Sequence, residues 1–69
     1  MANRHAMIVN CHLIVVRKEP NLDSEIVCEL PSSTNLVVEE QYTSGKFYKI
    51  CTPSGIEGYC LKKFISILS

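Results

Sequence analysis

Almost every apolar run in this 69-residue chain alternates, and none sustains a helical repeat. In Glu25-Ile26-Val27-Cys28-Glu29-Leu30 the side chains of Ile26, Cys28 and Leu30 share one face, with Glu25 and Glu29 on the other. A period of two marks a half-buried strand. Pro31-Ser32-Ser33 ends it with turn chemistry. Upstream, Leu13-Ile14-Val15-Val16 is a first strand, separated from Ile26 by the polar loop Arg17 to Ser24. Downstream, Leu36-Val37-Val38 opens a strand that turns polar by Tyr42, and Thr43-Ser44-Gly45-Lys46 reads as a hairpin loop. Phe47-Tyr48-Lys49-Ile50-Cys51 is the next strand and Thr52-Pro53-Ser54-Gly55 the next turn. Tyr59-Cys60 and Ile65-Ser66-Ile67-Leu68 supply the last strands, with Leu61-Lys62-Lys63 too short for more than one helical turn. Five or six short antiparallel strands in so short a chain predict an all-β fold, a small barrel or two orthogonally packed sheets. There is no internal repeat and no linker.

Residues 13–69 form that barrel in this reading, and residues 1–12 an N-terminal extension able to add an edge strand. Hydrophobic residues make up 46% of the chain, which supports a folded globule over disorder. Seven basic and seven acidic side chains cancel. No strong field draws in nucleic acid or an anionic membrane, so neither is an expected partner. The start of the chain is too short in apolar residues and too polar for a signal peptide, and no run approaches a membrane span. The expected location is the cytoplasm as synthesised, or the cell wall if the chain belongs to a lysin or an exported protein.

Four cysteines, Cys11, Cys28, Cys51 and Cys60, raise disulfide and zinc readings. No two are spaced Cys-x-x-Cys, and neither His5 nor His12 completes a finger pattern, so no metal is expected. The preferred reading is reduced thiols behaving as small hydrophobes. Pairing of Cys51 with Cys60 is the alternative. A two-residue turn at Pro53-Ser54 would set residue 51 opposite 56 and 60 opposite 47.

Catalysis finds little support. Cys11 and His12 are adjacent, and in a strand adjacent side chains point to opposite faces, which denies a nucleophile its base. Glu39-Glu40 fail as a carboxylate pair for the same reason and read as a solvated strand end. No glycine loop cradles phosphate, and no cofactor is implied.

The order Ile14-Val15-Val16-Arg17, a polar loop with Pro20, Ile26-Val27-Cys28-Glu29-Leu30-Pro31, Phe47-Tyr48-Lys49-Ile50 and Gly55-x-x-Gly58-Tyr59-Cys60-x-x-x-Phe64-Ile65 resembles the bacterial SH3 (SH3b, type 3) domain. The resemblance covers roughly residues 13 to 68. Phe47 and Tyr59 stand where the family pattern has Trp, and Phe64 where it has Tyr, so apolar bulk is kept while polar handles are lost. In such a barrel Gly55 closes a hairpin turn and Gly58 lets a neighbouring strand or ring approach the backbone. The resemblance implies a non-catalytic module that targets the peptide portion of peptidoglycan, or another short peptide, for a linked wall hydrolase. The alternative is a free-standing intracellular, phage or mobile-element domain that binds protein or itself. The candidate groove is Tyr42, Phe47, Tyr59, Phe64 and Arg17, with Glu19, Asp23, Lys46 and Lys49 at its rim. Arg17 is also suited to capping the loop it starts by bonding backbone carbonyls.

Overall fold

The computed structural model describes residues 3–68. Seven strands, β1 (Asn3–Ile8), β2 (Leu13–Arg17), β3 (Ile26–Pro31), β4 (Leu36–Glu39), β5 (Phe47–Cys51), β6 (Glu57–Leu61) and β7 (Ile65–Ile67), form one sheet in the order β3-β2-β6-β5-β4-β1-β7. Every neighbouring pair is antiparallel. The helical content among the described residues is two single 3-10 turns, Glu40–Tyr42 and Lys62–Phe64. Among the described residues no helix is long and apolar enough to cross a membrane.

Each strand places one or two side chains in a single buried cluster. Ala6 and Ile8 come from β1, Ile14 and Val16 from β2, and Leu30 from β3. Leu36 and Val38 of β4, Ile50 of β5, Cys60 of β6 and Ile65 of β7 complete it. A flat sheet seven strands wide could not bring its two ends into one cluster, so the sheet curls around its own inner face. The all-β barrel expected from the alternation is the fold observed, with one strand more than counted.

That extra strand corrects the reading of the N-terminus. β1 is not an edge strand. It pairs with β4 through Asn3–Glu39 to Ala6–Leu36 and with β7 through Ala6–Ile67 to Ile8–Ile65. Its alternation is short, with only Ala6 and Ile8 buried and the apolar Met7 exposed between them, so the sequence signal was weak. Cys11 and His12 also lie outside any strand, in the bend after Asn10, whose φ is +62°.

A second correction concerns β3. The ladder to β2 runs Val16–Cys28 and then Arg17–Ile26, which leaves Val27 without an opposite number. This bulge turns Ile26 off the face it was expected to share with Cys28 and Leu30. Ile26 and Val27 are accordingly half exposed.

The hairpin joining β5 and β6 differs from a two-residue turn. Thr52 N–H donates to the Ile56 carbonyl at 2.9 Å, leaving Pro53-Ser54-Gly55 as a three-residue loop with Gly55 at φ +97°. Such loops commonly end on a glycine with positive φ. The added residue shifts the pairing by one, so Cys51 faces Glu57, Cys60 faces Tyr48 and Phe47 faces Leu61. Thr52 is buried, and its hydroxyl oxygen accepts from Ile56 N–H at 3.2 Å while sharing a proton with Ser54 Oγ at 2.8 Å.

Candidate functional site

Residues directly opposite in an antiparallel ladder present their side chains on the same face. The pairs Arg17–Tyr59 and Tyr59–Lys49 therefore form one row across β2, β6 and β5 on the face opposite buried Gly58 and Ile50. Phe47–Leu61 is the next row along β5 and β6. Leu13 and Val15 precede Arg17 on the same face of β2 by the period of two. This outer face of β2-β6-β5 carries the candidate groove.

Its deepest part is a hollow of about 130 Å³ lined by Leu13, Ile14, Val15, Arg17, Leu22, Phe47, Leu61 and Phe64. Phe47 is buried and forms part of its floor. Phe64, half-buried at the end of the Lys62–Phe64 turn, and Leu22, exposed on the β2–β3 loop, are among its walls. A buried ring beneath an open apolar hollow gives contact area without the entropy cost of ordering it on binding.

The loop that carries Leu22 is held by its own hydrogen bonds. Arg17 donates from Nη1 to the Ser24 carbonyl at 2.8 Å, the capping role read from the sequence. Glu19 N–H donates to Ser24 Oγ at 2.8 Å, and Asp23 N–H to Asn21 Oδ1 at 2.9 Å. Lys18 N–H closes the base on the Glu25 carbonyl at 2.9 Å. Glu19 and Asp23 stay exposed on this loop, beside Leu22.

Tyr59, in the neighbouring row, and Tyr42, in the 3-10 turn after β4, do not line the hollow. Tyr42 is exposed, and its ring centroid lies 5.0 Å from the Lys49 ammonium. Lys49 is no free rim charge. Its Nζ lies 3.3 Å from Glu39 Oε1 and 3.8 Å from Glu57 Oε1, with the side chain only 19% exposed. Burial works against the ammonium, but the Glu39 hydrogen bond and charge, followed by Glu57, outweigh it and hold the Lys49 pKa above its ordinary value. Glu39 and Glu40 are not a solvated strand end either, since Glu40 sits 3.4 Å from Arg4 Nε.

Sequence reasoning missed Leu13, Leu22 and Leu61 in the hollow. Leu22 had a visible signal, as the one large aliphatic side chain in an otherwise polar loop. The carboxylates around Lys49 had none, because they meet only through the register of three strands.

The four thiols are free, and Cys51 and Cys60 point to opposite faces of the sheet, which rules out pairing without refolding. Burial, with Cys28 and Cys11 nearby, pushes the Cys60 thiol up to about 12. Cys51 is raised too, by burial and then by the Glu39 charge. Both are poor nucleophiles at neutral pH. Among the described residues no group of three or more His, Cys, Asp or Glu is placed to hold a metal.

A larger surface hollow of about 420 Å³ runs along β1 and β4 beside His5, Asn35, Pro53 and Leu68, but no phenylalanine or tyrosine lines it. The aromatic face of β2-β6-β5 is the better candidate on chemistry, despite its smaller volume.

Comparison with known families settles the lineage. The family model described as bacterial SH3 domain matches residues 14–66, most of the chain. The chain belongs to the bacterial SH3 domain family. That family is one of non-catalytic binding domains, and membership suggests a binding module. The matched span begins after β1, so the strand closing the sheet between β4 and β7 lies outside it. No curated protein shows a significant match to the chain.

Proposed function

We propose that this bacterial SH3 domain binds the peptide portion of peptidoglycan on the outer face of β2-β6-β5. The observation that carries the reading is the apolar hollow floored by Phe47 and walled by Phe64 and Leu22, whose volume of about 130 Å³ has room for one apolar side chain. A short wall peptide has small apolar side chains between polar groups, which fits such a hollow within a polar rim. Tyr59 and Tyr42 extend the contact beyond the hollow, and Arg17 positions the loop. Linked to a wall hydrolase, such a module would raise the enzyme's local concentration on its substrate. A single copy binds weakly, and linkage supplies the avidity. Its place of action in this reading is the cell wall, reached by export or by lysis of the host.

The test is a titration of isotope-labelled protein with peptidoglycan stem peptides and with intact wall. Amide shifts should cluster on Leu13–Ser24, Phe47 and Tyr59–Phe64. The variant F64A should weaken binding about threefold to thirtyfold, the cost of removing one apolar wall. Shifts confined to β1 and β4, or wall binding unaltered by F64A and L22A together, would sink the proposal.

A further inference from the structure

Beside the Phe47–Phe64 hollow lies a second one, of about 280 Å³, lined by Gly45, Lys46, Leu61, Lys62 and Lys63. Three of these residues are lysines, yet the surface they present to the hollow is almost wholly carbon. Two of the ammoniums are drawn off over rings. Lys62 Nζ sits 5.3 Å from the Tyr48 ring centroid, and Lys63 Nζ 5.1 Å from that of Phe64. A lysine lays its methylene stem along apolar surface while its head stays in water. The stems, with Leu61, therefore make the walls.

These walls are held before any ligand arrives. Ser44 and Phe47 exchange both backbone hydrogen bonds at 3.0 Å around a tight turn with Gly45 at φ +57°. Lys62 N–H donates to the Lys46 carbonyl at 2.8 Å, which ties that turn to the 3-10 turn after β6. The rings orient the Lys62 and Lys63 heads, so less side-chain freedom is lost on binding.

We infer that this hollow is a second apolar subsite, and that the groove takes an extended peptide with apolar side chains two residues apart. The inference rests on the peptide-binding reading above and adds to it the residue pattern that is read. Leu61 lines both hollows, so one side chain divides them. In an extended chain the side chains on one face recur about every 7 Å, a step that clears one intervening side chain. Lys63 joins the two as well, lining the second hollow while its head stands over the ring that walls the first. A sugar would set hydroxyls against these carbon walls and leave them unpaired. Lys46 enters as a wall, through its stem, and not as the rim charge expected from the sequence.

The experiment titrates the labelled protein with acetyl-Val-Gly-Val-amide, acetyl-Val-Gly-Gly-amide and acetyl-Val-Val-Gly-amide. The first should shift the amides of Gly45–Phe47 and Leu61–Lys63 as well as Phe64, and bind about threefold to tenfold tighter than the other two. High salt should leave that preference unchanged, because screening acts on charges. The preference should vanish in K46S/K63S, which lacks two stems, and persist in K46M/K63M, which keeps apolar length without the ammoniums. Equal binding of the three peptides, a preference lost at high salt or in the methionine variant, or one that survives in the serine variant would each overturn the subsite. Wall peptides that still shift Leu22 and Phe64 after any of these results would leave the proposed function standing without the second subsite. Silence of every peptide at both hollows would sink the two together.

Discussion

At the scale of single residues, Gly58 and Cys60 on β6 show how little space the curled sheet leaves. A Cβ on Gly58 would come within 2.7 Å of the Arg17 carbonyl oxygen and would also strike the Val16 side chain. Neither neighbour can retreat, since Val16 is fully buried and the Arg17 backbone is paired with β3 on one side and β6 on the other. G58A should therefore cost about 1–3 kcal/mol of stability, read as a lower urea midpoint. Cys60 makes a different demand. Its thiol is neutral in the fold, and the pKa is raised from 9.0 to about 12. A raised folded pKa contributes stability that is complete below the unfolded value and disappears as pH climbs through the folded one. Urea midpoints should hold level up to about pH 9 and fall between about pH 9 and 12. The C60A variant, less stable at neutral pH through its cavity, should show a shallower alkaline fall.

At the scale of elements, the β2–β3 loop is the part on which binding depends most. Arg17 both shares the aromatic face and holds the loop by its bond to Ser24. R17M keeps apolar bulk but releases that carbonyl, so Leu22 should lose its fixed place against the hollow. Amide exchange of Glu19–Ser24 should quicken and ligand affinity should drop, while the unfolding midpoint moves by only about 1 kcal/mol equivalent. An unchanged exchange rate would show that the remaining bonds of the loop suffice. Strand identities were legible because alternation is a local property of the chain, and so was the polar capping role of Arg17. Register was not. The three-residue loop at Pro53–Gly55 and the bulge at Val27 each add one residue, and one residue decides which face a side chain occupies. Local composition tolerates either count. For the same reason the division of the outer face into two rows, Phe47 with Leu61 and Tyr59 with Lys49, and the place of Lys49 between two carboxylates could not be read.

At the scale of the whole molecule, β1 is the test of what the domain is. The family match covers residues 14–66, yet Ala6 and Ile8 are buried in the common core. Deleting residues 1–8 should leave β4 and β7 with open edges and the core without two members. The shortened protein should be unfolded or aggregated by circular dichroism and gel filtration, and a soluble, cooperatively unfolding product would show β1 to be dispensable.

The pairing of β1 with β7 also sets an order of events during synthesis. Of the seven strands the ribosome delivers Asn3–Ile8 first, but one of the two neighbours that strand needs, Ile65–Ile67, is the last of the seven. Until then the segment must wait unpaired on one side, so the nascent chain has no complete intermediate to settle into. Pairing that joins the first strand to the last makes folding a late event and a slow one for so small a domain.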